Sequence, residues 1–371
     1  MNFEFATAAR ILFGTGKIQE AGKLAKRFGN RALVVLGKSA RAIRHAEPLL
    51  HSLTASGVDY TIFSVSGEPT VEAIARGGQA RCDIVISFGG GSVIDAGKAV
   101  AALITNGGDV LDYLEVIGRG KPLSKPSVPF IAIPTTAGTG SEVTRNAVLG
   151  SPEHRVKISL RSATMLPRVA LVDSELTHEL PPTLTATTGL DALTQLIEAF
   201  VSVRANPMTD AICREGMNRV VRSLRRAYER GDDAVAREDM SLAALFSGMA
   251  LANAGLGAVH GFAAPIGGMF DAPHGAVCAA VLPHAFAVNK RAIQQRLAGR
   301  LSLQRFEEVE QTVGDLKQFC TDLKIPRLAS YGVTERDFDV IAEKAAASNS
   351  MKGNPVLLSA NELREILKLA L

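Results

Sequence analysis

Residues Asp83–Lys98 read DIVISF, then GGGS, then VIDAGK, and this stretch decides the fold. The first six residues, Asp83–Phe88, are a run of apolar and β-branched side chains suited to a buried strand. Gly89, Gly90, Gly91 and Ser92 follow with no spacer, and Val93-Ile94-Asp95-Ala96-Gly97-Lys98 opens a helix. Strand, tight glycine turn and helix in immediate succession make the repeating unit of a parallel sheet. The turn lets backbone approach a pyrophosphate, the helix N-terminus supplies unpaired N–H groups and a positive dipole end, and Ser92 adds a hydroxyl. The same glycines suit equally well a structural turn that holds no ligand.

Outward from that unit the pattern repeats. Arg31–Leu36 (RALVVL), Asp59–Val65 (DYTIFSV), Phe130–Pro134 (FIAIP) and Val169–Val172 (VALV) read as strands, with helical patterns over Ala40–Ser56 and Val71–Arg81 between them. Alternation of this kind predicts a mostly parallel sheet covered by helices on both faces. Beyond about residue 180 the strand signal fades. Helical patterns cover Thr185–Val203, Met208–Arg230 and Ala236–Ala254, with further pieces from Arg291 to the C-terminus. Pro181-Pro182 marks the change. The expectation is a nucleotide-binding α/β domain over 1–178 followed by an all-α metal and substrate domain over 179–371.

A second loop supports the nucleotide reading. Pro134-Thr135-Thr136-Ala137-Gly138-Thr139-Gly140-Ser141-Glu142 leaves the FIAIP strand dense in hydroxyls and glycines. Two such loops at the carboxyl ends of two strands match where ligands bind in open parallel sheets, although a plain connecting loop has the same composition. The pattern GxxxxGK[ST] is absent, which argues against nucleoside-triphosphate chemistry.

Composition excludes other classes. The chain has 371 residues with 41 basic and 37 acidic side chains, a net charge of +4 without any basic block. The cluster Arg219–Arg230 alternates with apolar positions and reads as a solvated helix face, not a nucleic-acid surface. With no Trp and four Tyr, a stacking platform for single strands is not expected. Cys82, Cys213, Cys278 and Cys320 form no CxxC pair and read as free thiols of a reducing compartment. Glu4 interrupts any signal-like apolar run, and no window reaches the roughly 18–20 apolar residues of a membrane span. A cytoplasmic protein without membrane partners is expected.

Three polar residues stand out in the helical half. Asp191 lies in an apolar helix where a carboxylate needs a partner, and Gln195 follows at i+4 on the same face. His260 opens HGFAAPIGG and His274 lies in FDAPHG, both among small and apolar residues. A carboxylate and two imidazoles suit Zn²⁺ or Fe²⁺ with an open position; each residue taken alone reads first as a hydrogen-bonded core group. His45, His51, His154, His178 and His284 are read as structural, and Phe262 and Phe270 as core.

Taken together, GGGSVIDAGK, PTTAGTGSEVT, GLDALTQLIEAFVS, HGFAAPIGGMFDAPHG and LPH resemble the iron-containing (group III) alcohol dehydrogenases, in order and over nearly the whole chain. The resemblance implies a Rossmann-like N-terminal domain with a helical C-terminal domain, the dehydroquinate synthase-like fold, in a dimer with the active site in the cleft. It implies hydride transfer between NAD(P)(H) and a small alcohol, aldehyde or ketone, assisted by Fe²⁺ or Zn²⁺. Asp191, His260 and His274 take the metal-ligand positions. Gly90, Gly91, Ser92 and Asp95 match the pyrophosphate turn, Thr135, Thr136, Thr139 and Ser141 the second nucleotide loop, and Lys157 a lysine near the nicotinamide ribose.

Three departures matter. Gln195 stands where the family has a fourth ligand, a histidine, so the expected ligand set is Asp191, His260 and His274 with a weaker amide, or no metal as in maleylacetate reductases. Ala264 replaces a histidine associated with proton transfer, so the proton route is expected to run through water. The first nucleotide strand ends Leu36-Gly37-Lys38-Ser39 where many members have an aspartate for the adenosine ribose. A neutral Gly37 beside Lys38 removes repulsion against a 2′-phosphate and predicts use of NADP(H). The alternatives are a metal-independent maleylacetate reductase-like enzyme with Arg145 holding a carboxylate, a dehydroquinate synthase-like lyase, for which no cluster of lysines and arginines is found, and a nucleotide-binding protein without turnover.

Overall fold

The computed structural model describes residues 2–115, 117–151, 153–154, 156–297 and 306–371. In chain order the first half runs β1 (Ile11–Phe13), α1 (Ala21–Lys26), β2 (Arg31–Gly37), α2 (Ala40–His45), α3 (Glu47–Ala55), β3 (Asp59–Val65), α4 (Val71–Gly77), β4 (Ile84–Gly89), α5 (Gly91–Asn106), β5 (Phe130–Pro134), β6 (Asn146–Ser151), β7 (Val156–Arg161) and β8 (Val169–Val172). The second half is helical: α6 (Pro182–Val201), α7 (Pro207–Glu229), α8 (Ala234–Ala254), α9 (Ala258–Phe270), α10 (His274–Leu297), α11 (Phe306–Asp322), α12 (Phe338–Ala347) and α13 (Ala360–Ala370).

Six parallel strands form one sheet in the order β1-β8-β5-β4-β2-β3. Alternate residues of each strand face opposite sides, so Ile84, Ile86 and Phe88 join the apolar core on one face and Val85 the core on the other. The chain builds outward through β2 and β3, then returns to β4 on the other side of β2. That reversal is where parallel sheets open a crevice at their carboxyl ends. Both Gly37, at the end of β2, and the glycine turn after β4 border it.

Local chemistry accounts for where the expected elements end. The helix expected over 40–56 is broken at the buried Ala46, because Pro48 lies in the first turn of α3 and has no N–H for a continuing helix. The helix expected from Val71 to Arg81 stops at Gly77; there a Cβ would lie 2.5 Å from Val100 on α5, so the glycine lets the two helices touch. The β6–β7 antiparallel hairpin and β1 are additional to the sequence reading. So are α9 and α10, whose internal Pro265 and Pro283 interrupt the pattern. The helical pieces expected from Arg291 onward are α10's end and α11–α13, except for 298–305, which lie outside the described residues.

α6 is buried along nearly its whole length, at the centre of the largest apolar core. A smaller cluster, Ala8, Val143, Ala170, Val172 and Leu245, ties the sheet to α8. Beside it the loop after β5 docks against α8. A Cβ on Gly140, whose φ is +59°, would lie 2.4 Å from the Ala244 carbonyl, and one on Gly248 would lie 2.1 Å from the Gly140 carbonyl. Only glycine at both positions allows this approach, which sets the second loop at the mouth of the cleft. Among the described residues no single helix is long and apolar enough to cross a membrane.

Candidate active site

Three helices bring the polar residues of the helical half to one point. α6 carries Asp191, α9 carries His260 in its first turn, and α10 begins at His274 and carries Cys278 one turn later. Asp271, with φ +49°, ends α9 in the left-handed conformation and allows the sharp reversal into α10. His260 Nε2 lies 3.3 Å and His274 Nε2 3.7 Å from Asp191 Oδ1. Cys278 Sγ is 3.7 Å from each of those nitrogens. All four ligand atoms lie within 4.8 Å of one another.

The tautomer of His260 follows from its other nitrogen. Nδ1 lies 2.6 Å from Glu198 Oε2, and Glu198 Oε1 accepts the Val259 N–H at 2.7 Å. A carboxylate accepts only, so Nδ1 keeps a proton, and when the second proton is displaced Nε2 presents a lone pair to the cluster. Asp191 Oδ1 is buried with no hydrogen-bond partner, and so is Gln195 Oε1. Buried acceptors without a donor are costly unless a cation lies near them.

The charges agree. Burial alone disfavours a charged His260, yet the Cys278 sulfur and the Asp191 and Glu198 carboxylates hold its pKa well above 6.5. Burial likewise opposes charge on His274, and Cys278 and Asp191 raise it to about 9. Burial pushes Asp191 up, but the two imidazoles bring it below the ordinary aspartate value. The cluster attracts positive charge, and its donor set of carboxylate, imidazoles and thiol fits a divalent transition metal.

These residues lie at one end of a cavity of about 420 Å³ between the halves, within the range of small-molecule sites. Its walls include Gly91, Ser92, Asp95, Thr139, Ser141, Lys157, Gln195, His260 and His274. Asp191 and Cys278 lie buried behind the histidines. Gly90, Thr135 and Thr136 sit outside this lining on the same strand ends; Gly90 packs on Thr136. Gly37, Lys38 and Ser39 lie outside this lining, at the end of β2 beside that of β4, where the Ser39 hydroxyl caps α2 by accepting the Ala42 N–H at 3.1 Å.

Two expected nucleotide residues have protein partners as well. Asp95 Oδ2 accepts the Val148 N–H at 2.8 Å, and Oδ1 accepts from the Ser141 hydroxyl. Lys98, wholly buried, donates to Ser141 Oγ at 2.7 Å and Thr144 Oγ1 at 2.9 Å and pairs with Asp95 at 3.0 Å. This network fixes the second loop and the β6–β7 hairpin to α5. The hairpin delivers Lys157 to the cavity, 3.4 Å from Glu68.

Sequence reasoning missed Glu198, Cys278 and Lys98. Each had a signal in its spacing: Glu198 is seven residues after Asp191, Cys278 four after His274 and Lys98 three after Asp95, all same-face separations on a helix. Arg161 and Arg204 also line the cavity, beside Arg145.

Comparison with known proteins gives the chemistry a family. The model of the iron-containing alcohol dehydrogenases matches residues 8–174, and that of the family's C-terminal part matches residues 185–371. The chain is 36% identical to 1,3-propanediol dehydrogenase of Klebsiella pneumoniae over 95% of its length and 96% of that protein. It is 33% identical to NAD-dependent methanol dehydrogenase of Bacillus methanolicus over the full length of both. The crystal structure of 1,3-propanediol oxidoreductase superposes with a TM-score of 0.92 at 34% identity, covering both chains completely. The buried ligand cluster, the strand-end loops and these matches agree: the chain belongs to the iron-containing alcohol dehydrogenase family, the NAD-linked oxidoreductases that act on alcohols with the help of a metal.

Proposed function

We propose that this enzyme interconverts a small alcohol and its aldehyde or ketone in the cavity between its halves, with a divalent metal held by Asp191, His260 and His274. The observation that carries the reading is the meeting of lone-pair donors at the end of a cavity whose other walls are the glycine turn and the Thr/Ser loop. When bound there, the metal acts as a Lewis acid toward a substrate oxygen.

The chain's own residues do the rest. Glu198 keeps the His260 Nε2 lone pair aimed at the cluster. Gly91 and Ser92 offer backbone and hydroxyl donors at the α5 N-terminus to a pyrophosphate, and we read Thr139, Ser141 and Lys157, on the same cavity wall, as the contacts to ribose and nicotinamide. Leu251, Leu256 and Ala264 give the cavity apolar wall that limits water around the reacting atoms. Ala264 cannot titrate, so protons exchange through water instead of an imidazole at that wall. Gly37 beside Lys38 leaves room and charge for a 2′-phosphate, so the cofactor includes NADP(H). We place the domain boundary at 178/179, and read the enzyme as a cytoplasmic homodimer without nucleic-acid or membrane partners.

The test is oxidation of NADH and NADPH with a panel of short aldehydes, before and after chelation and with Zn²⁺ or Fe²⁺ restored. Turnover lost on chelation and regained with metal is expected. No turnover with either nicotinamide under any metal condition defeats the proposal. Arg145 on the cavity wall favours one second reading, a metal-independent reductase of an unsaturated keto acid, which predicts activity that survives chelation.

A further inference from the structure

We propose that Cys278 is itself a metal ligand, its thiolate completing a four-residue set with Asp191, His260 and His274. This rests on the metal reading above and goes beyond it in naming a ligand that no histidine position supplies.

Distance is the first argument. A tetrahedral ion with nitrogen and oxygen at about 2.0 Å and sulfur at about 2.3 Å holds its ligand atoms about 3.3 Å apart for N/O pairs and about 3.5 Å for N/S pairs. The observed separations are 3.3 and 3.7 Å from Asp191 Oδ1 to the two nitrogens and 3.7 Å from Cys278 Sγ to each. The sulfur is equidistant from both imidazoles, as a corner of a shared polyhedron is.

Direction is the second. His274 and Cys278 are one turn apart on α10, so one helix face presents both. Asp191 Oδ1, one of the four contacting atoms, is buried with no hydrogen-bond partner, an independent sign that a cation belongs there. As ligands, the Asp191 carboxylate and the Cys278 sulfur freed of its proton bring negative charge to match a divalent ion. Cys213 and Cys320 lack such neighbours, and burial pushes both thiols up, Cys320 to about 12. A thiolate among the ligands favours Zn²⁺ over Mg²⁺- or Ca²⁺-like ions and makes the set softer than one of histidines and carboxylate. It also frees the Gln195 amide, which lines the cavity, to accept a hydrogen bond from a bound ligand.

The experiment loads metal-free protein with Co²⁺ and records the near-ultraviolet thiolate-to-cobalt charge-transfer band, stoichiometry and affinity against a competing chelator. Expected are one Co²⁺ per chain with the band present. Cys278→Ser should abolish the band and weaken binding by more than about 100-fold, beyond the roughly 10–100-fold lost with an outer partner. Adding Gln195→His to Cys278→Ser should recover affinity without the band, which also shows that the variant fold holds a metal. Co²⁺ uptake and turnover in the unmodified enzyme without the band overturn the thiolate ligand and leave the metal reading standing. Persistence of the band in Cys278→Ser overturns it too, and absence of any Co²⁺ uptake overturns both.

Discussion

Glu198→Gln isolates the positioning of a single nitrogen. In the native site Glu198 accepts two hydrogen bonds, from His260 Nδ1 at 2.6 Å and from the Val259 N–H at 2.7 Å. Glutamine has one acceptor oxygen in place of two. If that oxygen keeps the Val259 N–H, the amide NH₂ faces Nδ1, which must then give up its proton. The proton moves to Nε2 and occupies the lone pair that points at Asp191 and Cys278. If the oxygen keeps Nδ1 instead, the first turn of α9 loses the acceptor for Val259. In either arrangement one bond to a charged group is lost, worth about 1.5–3 kcal/mol. At 1.4 kcal/mol per decade this is about 10–100-fold in metal affinity. The assay is Zn²⁺ competition against a chromophoric chelator on metal-free enzyme, with Tm of the metal-free variant as control for folding. Equal affinity in the variant and the parent would refute the tautomer argument, and with it the view that the carboxylate orients the imidazole.

Two other outcomes are expected. The kcat/KM with NADPH should equal or exceed that with NADH. Gly37→Asp, which brings a Cβ to 3.2 Å from Ala42 and a carboxylate to the ribose, should lower the NADPH value by about tenfold or more, or about 1.4 kcal/mol; a strong NADH preference in the parent enzyme refutes the argument from Gly37. Burial raises Glu142 from 4.5 to about 7 despite Lys98 nearby, so the folded state prefers the neutral acid. Its stabilising contribution is complete below pH 4.5 and fades as pH rises through 7, where burying the charge costs about 3 kcal/mol. Glu142→Gln should therefore gain stability relative to the parent in chemical denaturation at pH 8 compared with pH 5, and a difference independent of pH contradicts it.

The strands of the sheet were legible because a buried parallel strand is a short apolar run with its own boundaries. Asp59–Val65, Phe130–Pro134 and Val169–Val172 coincide with β3, β5 and β8 residue for residue. The β6–β7 hairpin was missed although Val156–Arg161 (VKISLR) alternates apolar and polar residues, because the reading followed continuous apolar runs and β7 is a half-exposed strand. α9 and α10 were hidden by Pro265 and Pro283, which helices tolerate when tertiary packing compensates for the missing hydrogen bond.

Sequence by itself determined the strand–turn–helix units, the change to helices near residue 180, and Asp191, His260 and His274 as polar residues out of place among apolar neighbours. These are local properties: periodicity, turn chemistry and the cost of burying a charge. Only the tertiary structure decided that Cys278 and not one of the other three cysteines stands between two imidazoles, and that Glu198 fixes which nitrogen of His260 is free. Those facts depend on how three helices converge, and contacts between residues 62 and 87 positions apart, such as Glu198–His260 and Asp191–Cys278, leave no trace in the pattern of either segment.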